Sequence, residues 1–331
     1  MTLAAGIDLG TGAVKTVIFD VTDGETKWLA RASHRIRRRD PMVLARQSFD
    51  DMLSELGLQE DAIDYVATTG DGENIAFRTG HFYSMTTHAR GATYLQPGVN
   101  AVIDIGALHG RAIATDERGK VLTYKMTSQC ASGSGQFLEN IARYLGVALE
   151  EVGAISTTAD NPETVSSICA VLAETDVINM ISRGISTANI LKGIHIAMAS
   201  RLVKLLKSIK AREGSVLITG GLANDEGMVQ AMQEQVIEQN LKVEVLHHPD
   251  SIYAGAIGAA LWGAFRYERL LAAQHGIPSP DLEAYDESKP VLAVDMGQEE
   301  VTCPVANVAE PTSATCPADK ILKTDDKEQG K

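Results

Sequence analysis

The first part of the chain alternates short apolar runs with glycine-containing turns. Residues 6–10, 13–19 and 26–32 are predicted strands, and a Gly-Thr-Gly turn joins the first two into a hairpin. A helix near residues 46–56 and a strand at 65–68 follow. The hairpin excludes a Walker-type phosphate loop, which connects a strand to a helix and has the spacing Gly-x-x-x-x-Gly-Lys-Ser/Thr.

The second part of the chain repeats this opening pattern. An apolar strand at residues 101–106 again has an aspartate two residues before a glycine, and a strand at 111–114 follows it. The repeat indicates a weak internal duplication. Further on, the spacing of apolar residues predicts helices over 136–146, from Cys169 onward and over 190–210.

Two glycine-containing segments close the patterned region. Residues 216–221 are predicted to form a buried strand that ends in a glycine pair, and a helix of small residues starts near Tyr253. From Ile277 onward the apolar runs are short, and this segment holds six of the ten prolines and about half of the net negative charge. We therefore expect a folded body followed by a low-order tail.

Composition narrows the kinds of partner. The 331 residues are 44% hydrophobic, which is enough to bury a core, and the net charge of −13 argues against a nucleic-acid or anionic-membrane surface. The sequence contains no signal-type leader and no apolar stretch approaching the roughly 20 residues of a membrane helix. We therefore expect a cytoplasmic protein with small-molecule and protein partners, whose four cysteines are thiols or metal ligands rather than disulfides.

Four glycine-marked turns carry the candidate chemistry. They are, in order, Asp8-Leu-Gly-Thr-Gly12, Asp104-Ile-Gly106, Thr219-Gly-Gly221 and Ala254-Gly-Ala256. A tight turn would explain any one of them, but all four in this order resemble actin-like sugar kinases and chaperone ATPases. The resemblance implies an α/β protein with the actin-like ATPase fold, in which ATP binds between two facing lobes.

The same resemblance implies boundaries and roles. Lobe I would span residues 1–98 and lobe II residues 99–274, with a last helix at about 253–272 packing back toward lobe I and an acidic tail at 275–331. Glycines in the turns would let backbone N–H groups approach phosphate or leave room for adenosine, and two aspartates would face Mg²⁺ through water. The predicted nucleotide-binding residues are Asp8, Gly10, Thr11, Gly12, Lys15, Asp104, Gly106, Gly220, Gly221 and Gly255.

Two cysteine blocks make the resemblance more specific. Cys130-Ala-Ser-Gly-Ser-Gly and Ile168-Cys-Ala-Val-Leu-Ala-Glu, together with Thr87-His-Ala-Arg-Gly-Ala92, resemble the ATPase family of 2-hydroxyacyl-CoA dehydratase activators and benzoyl-CoA reductases over about residues 5–270. The resemblance implies that Cys130 and Cys169 are metal ligands, holding one [4Fe-4S] cluster shared with a second subunit. A cubane needs four thiolates, and helix N-termini stabilise thiolates, which agrees with this assignment. Two unrelated core cysteines remain the alternative.

One departure from the family pattern concerns the second turn. After Asp104-Ile-Gly106 the activators typically read Gly-Gln-Asp, whereas this chain reads Ala107-Leu108-His109. Polar groups near the phosphates are thus replaced by an apolar side chain and an imidazole, which leaves open whether the chain hydrolyses ATP alone. The departure favours the diverged ATPase subunit of a benzoyl-CoA reductase over a dehydratase activator.

The resemblance then implies a function with several partners. The chain would deliver low-potential electrons from ferredoxin to catalytic reductase subunits, beside a sister ATPase subunit in a heterodimer or homodimer, and would bind no benzoyl-CoA itself. The alternatives are an activator of a 2-hydroxyacyl-CoA dehydratase, an actin-like sugar or metabolite kinase, and a non-hydrolysing ATP-binding subunit that supplies only thiolates. Iron in the anaerobically purified protein separates the kinase from the others.

Other polar residues have simpler interpretations. His109 is either a solvated turn residue or a group near the phosphates. Glu174 fits an ordinary carboxylate on a helix face, and His247-His248 is predicted to lie in a loop before the last helix rather than to bind metal. Cys303 and Cys316 are predicted to be thiols of the tail.

Overall fold

The computed structural model describes residues 1–22, 25–127, 134–165 and 170–275, and at 170–172 it describes the backbone alone. Cys130 and Cys169 lie outside the described residues. So does the predicted tail from residue 276 onward, with Cys303 and Cys316.

The first sheet is built from the first five strands, in the order β3-β2-β1-β4-β5. β1 and β2 form an antiparallel hairpin through residues 10–12, and β1 pairs with β4 in parallel. The Gly10 N–H donates to the Ala13 carbonyl over 3.0 Å, so the predicted hairpin turn is confirmed. The strands are β1 Thr2–Leu9, β2 Ala13–Thr22, β3 Glu25–Arg35, β4 Tyr65–Gly70 and β5 Gly80–His81.

The second sheet repeats this arrangement in the order β10-β9-β6-β7-β8. β6 and β7 form the hairpin, and β6 pairs in parallel with β9, as β1 does with β4. The internal duplication predicted from the sequence is therefore visible in the strand pairing. The strands are β6 Ala101–Ile105, β7 Gly110–Thr115, β8 Val121–Met126, β9 Glu213–Gly220 and β10 Lys242–Leu246.

Helices cover both sheets and join them. One apolar core lies between the first sheet and α1, and a larger one lies between the second sheet and α3 to α7. α8 packs on β1 and β4 as well as on α2, so these two helices link the first sheet to the second. The helices are α1 Pro41–Leu56, α2 Ser84–Leu95, α3 Gly135–Leu145, α4 Val152–Thr157, α5 Ala170–Ser182, α6 Thr187–Ser208, α7 Glu226–Glu238 and α8 Ala254–Gln274.

α1 begins five residues before the predicted helix. Asp40 caps it, its carboxylate accepting the N–H groups of Met42 at 2.8 Å and Val43 at 3.1 Å, and Pro41 occupies the first turn. Gly57, in the left-handed region at φ 66°, ends the helix. α1 then buries Phe49 against the first sheet and fixes the hairpin that carries the first turn.

Candidate functional site

A cleft lies between the two hairpin turns, residues 10–12 of the first sheet and 106–109 of the second. The second turn closes like the first, because the Gly106 N–H donates to the His109 carbonyl over 2.9 Å. The turns approach closely: a Cβ on Gly12 would lie 3.2 Å from the Ala107 Cβ. Nine of the predicted nucleotide-binding residues line this cleft: Asp8, Gly10, Thr11, Gly12, Lys15, Asp104, Gly106, Gly220 and Gly221.

Two buried carboxylates occupy matching positions on the two sides of the cleft. Asp8 lies opposite Lys15 in the β1–β2 hairpin, with Lys15 Nζ 3.6 Å from Asp8 Oδ2. Asp104 lies opposite Arg111 in the β6–β7 hairpin, and Arg111 Nη1 donates to Asp104 Oδ2 over 3.1 Å. Both carboxylates are almost fully buried, at 5% and 3% exposure, so the cation across each hairpin compensates their desolvation.

His88 is a cleft residue to which the sequence assigned no role. It projects from α2, is buried, and its Nδ1 lies 3.1 Å from Thr219 Oγ1 and 3.7 Å from Asp104 Oδ1. The preceding Thr87 contacts Thr69 in the same way, with 3.0 Å between the hydroxyl oxygens. Successive residues of α2 thus contact the end of β4 in one sheet and the end of β9 in the other.

A Thr-Gly pair repeated at these two strand ends is the sequence signal that could have located the part of the site at the end of β4. Thr69-Gly70 ends β4 and Thr219-Gly220 ends β9, and Gly70 lines the cleft as Gly220 does. Of the two pairs, only Thr219-Gly220 was predicted from the sequence to belong to the site. Asp71, Arg35 and Arg111 also line the cleft, and nothing local in the sequence marked them.

Gly255 is placed differently from the cleft-lining glycines. It lies in the first turn of α8, where a Cβ would be 2.7 Å from Asp8 Oδ2 and 2.9 Å from His88 Nε2. The space left by the missing side chain is therefore filled by the Asp8 carboxylate and the imidazole. A contact of Gly255 with adenosine stays a prediction.

The residues of the second turn that depart from the family pattern border the cleft. Ala107, Leu108 and His109 all line it, and Leu108 is exposed. The His109 carbonyl closes the turn, whereas its ring makes no described hydrogen bond that would fix its role. Of the other predicted residues, His247 lies in the loop before α8, as expected, and contacts the Asn224 side chain over 3.2 Å.

The second turn is tied directly to α3, the helix that follows the Cys130 block. The N–H groups of Gly135 and Gln136 donate to the carbonyls of Gly106 and Ala107, each over 2.9 Å. These donors belong to the first turn of the helix, where N–H groups have no partner within the helix. A displacement of the second turn would therefore move the start of α3. α3 also contacts α5, which begins at Ala170, one residue after Cys169.

The donor set of the cleft suits a nucleotide with a magnesium ion. Glycines at residues 10, 12, 106 and 220 leave backbone accessible around it, and Mg²⁺ is typically bound through one or two carboxylates, water and phosphate. Within the described ranges no group of three or more His, Cys, Asp or Glu side chains is arranged to hold a metal ion. Asp8 and Asp104 fit the carboxylate part of a magnesium site completed by phosphate and water.

The duplicated hairpins, the cleft between them and the crossing helices define an actin-like ATPase fold, as the sequence predicted. The chain belongs to the BadF/BadG/BcrA/BcrD ATPase family, whose model matches residues 5–263. The predicted family is thereby confirmed, and membership of an ATPase family implies that the chain binds ATP and Mg²⁺. No described helix has both the length and the apolar character needed to cross a membrane.

The chain matches individual relatives over nearly the whole length of each relative. The chain is 69% identical over 270 residues to the D-type subunit of benzoyl-CoA reductase from Thauera aromatica, which covers 82% of this chain and 96% of that protein. It is 33% identical over 262 residues to the activator of lactoyl-CoA dehydratase of Anaerotignum propionicum, covering 78% and 95%. The solved activator of 2-hydroxyisocaproyl-CoA dehydratase from Clostridium difficile, with bound ADPNP, matches with TM-score 0.73 and 29% identity, covering 84% and 99%.

The carboxylate of Asp104, near the end of β6, gives a direct test of this site. Replacing Asp104 by asparagine keeps its size but removes the charge that would face the cation, so we expect Mg-ATP to bind at least about tenfold more weakly. Calorimetric titration of the full-length chain measures this. Asp116→Asn, which changes a turn carboxylate outside the cleft, is the matched control. Equal affinity of wild type and Asp104→Asn would contradict the assignment.

Proposed function

We propose that this chain is the ATP-binding, iron–sulfur electron-transfer subunit of an ATP-dependent benzoyl-CoA reductase. The observation that carries the proposal is the 69% identity to a benzoyl-CoA reductase subunit, against 33% to a dehydratase activator. The apolar Ala107 and Leu108 on the second turn agree with this preference. Reduction of the ring to a cyclic diene consumes two electrons and two protons, and ferredoxin supplies the electrons one at a time.

Cys130 and Cys169 would supply two of the four thiolates of a [4Fe-4S] cluster, and a sister ATPase subunit would supply the other two. When bound, the cluster accepts and releases single electrons at low potential. The described structure supports this indirectly, because α3 and α5 follow the two cysteine blocks and contact each other. Cys169 directly precedes α5, and the positive end of the α5 dipole favours thiolate at that position.

The role of ATP follows from the cleft. Binding of phosphates between the two turns would bring Asp8 and Asp104 toward one cation and displace the second turn. The hydrogen bonds from Gly135 and Gln136 would carry that displacement to α3. Raising one electron by 100 mV costs about 2.3 kcal/mol, and ATP hydrolysis coupled to a two-state hinge provides such a drive.

Several finer points stay predictions. They are the lobe boundaries at residues 98 and 274, the tail from residue 275, the cytoplasmic location, and the ferredoxin and catalytic-subunit partners. Whether the sister subunit is a second copy or a diverged chain is also open to test. Measuring ATP hydrolysis by this chain with and without its sister separates an active ATPase from a subunit that only binds ATP.

The experiment that tests the function is substrate turnover by the anaerobically purified complex. We expect ATP-dependent and ferredoxin-dependent consumption of benzoyl-CoA. Turnover of a 2-hydroxyacyl-CoA instead would assign the chain to the dehydratase activators. An iron-free protein that phosphorylates a sugar or another metabolite would overturn both assignments.

A further inference from the structure

The cleft contains an arginine, Arg35, whose ion pair differs from those of the two other cations described above. Lys15 and Arg111 each pair with a buried aspartate across their own hairpin. Arg35 also lines the cleft, but its Nη2 lies 2.9 Å from Oε1 of Glu150, and the two side chains are 43% and 65% exposed. Exposed ion pairs contribute little to stability, so Arg35 can exchange this partner at small cost.

The backbone places Arg35 beside the first turn. It is the last residue of β3, opposite Ala13, and the N–H of the next residue, Ile36, donates to the Gly12 carbonyl over 3.0 Å. Glu150 belongs to a short helical turn, Leu149–Glu151, whose Leu149 packs on the core of the second sheet and also lines the cleft. The Arg35–Glu150 pair therefore crosses the cleft mouth between its two sides.

We propose that Arg35 exchanges Glu150 for the terminal phosphate of a bound nucleoside triphosphate, and so distinguishes triphosphate from diphosphate. This inference rests on the proposed function, because it presupposes nucleotide binding in this cleft. A guanidinium presents two parallel N–H donors to a phosphate and keeps its charge at any physiological pH. Ala107 and Leu108 offer no polar side chain from the second turn, whereas Arg35 at the end of β3 supplies a positive charge from the side of the first turn.

The test compares affinities for Mg-ATP and Mg-ADP in the full-length chain and four variants. We expect Arg35→Ala to weaken ATP binding about tenfold and ADP binding by less than about threefold, since the lost charge-assisted bonds involve the terminal phosphate. Arg35→Lys keeps the charge but lacks the two parallel N–H donors of the guanidinium. Its ATP affinity should therefore lie between those of wild type and Arg35→Ala. Glu150→Gln removes the competing carboxylate, so ATP should bind as well as in wild type or better.

Arg38→Ala is the matched control. It removes the same charge three residues further on, at an exposed position outside the cleft lining, and should bind both nucleotides as wild type does. Wild-type ATP affinity in Arg35→Ala would overturn the exchange. It would also be overturned if Arg35→Ala and Glu150→Gln each weakened the binding of ATP and of ADP by the same factor. Failure of the wild-type chain to bind either nucleotide would overturn the proposed function and this inference together.

Discussion

Replacing either Cys130 or Cys169 by serine is expected to abolish the visible iron–sulfur absorbance of the anaerobically purified complex. Each cysteine is proposed to provide one of the four thiolates that a cubane requires, and a serine hydroxyl is a poor substitute for a thiolate. The absorbance of the visible charge-transfer bands relative to the protein peak, with iron determined on the same sample, measures the loss.

The tail cysteines provide the matched control. Cys303→Ser and Cys316→Ser remove thiols of the same chain that the proposal leaves out of the cluster, so both should retain the full iron content. A Cys130→Ser complex with a full complement of iron would refute the ligand assignment. Loss of the cluster in Cys303→Ser would place a ligand in the tail instead.

Replacing Gly220 by alanine is expected to destabilise the fold and to weaken nucleotide binding. Gly220 ends β9 at φ 86°, in the left-handed region, and a Cβ there would lie 2.4 Å from Asp104 Oδ1 and 2.6 Å from the Ile105 carbonyl oxygen. Backbone strain and overlap with β6 should together lower the free energy of unfolding by about 3 kcal/mol. The displaced Asp104 should also weaken Mg-ATP binding. Thermal or urea unfolding and nucleotide titration measure the two effects.

The neighbouring glycine is the control for this substitution. Gly221 has no positive φ, and the nearest atom to a Cβ there is the Ile105 carbonyl oxygen at 3.8 Å. Gly221→Ala should therefore unfold at nearly the wild-type temperature. Equal stability of the two alanine variants would show that the close approach of β9 to Asp104 does not exist in solution.

The parts of the site that the sequence predicted are those set by local geometry. A glycine turn between two apolar strands is a short-range signal, and its repetition at Gly106 located the second turn as well. The Asp-x-Gly pattern singled out two carboxylates that both line the cleft, because the last residues of β1 and β6 lead into the turns that border it.

The parts that the sequence did not predict depend on contacts between distant segments. His88 lies in α2, a helix of small and polar residues whose pattern is set by its position between α8 and both sheets. The contact of α8 with Asp8 is of the same kind: a Cβ on Gly255 would lie 2.7 Å from Asp8 Oδ2, and the contact of Gly255 with adenosine stays a prediction. The Arg35–Glu150 pair joins residues on opposite sides of the cleft, which no local pattern encodes.

We propose that this chain holds half of an iron–sulfur centre beside an ATP cleft. The most direct test is the determination of iron and acid-labile sulfide per chain in the complex purified anaerobically with its sister subunit. A shared cubane predicts about two iron and two sulfide per chain. About four per chain, or none, would contradict it.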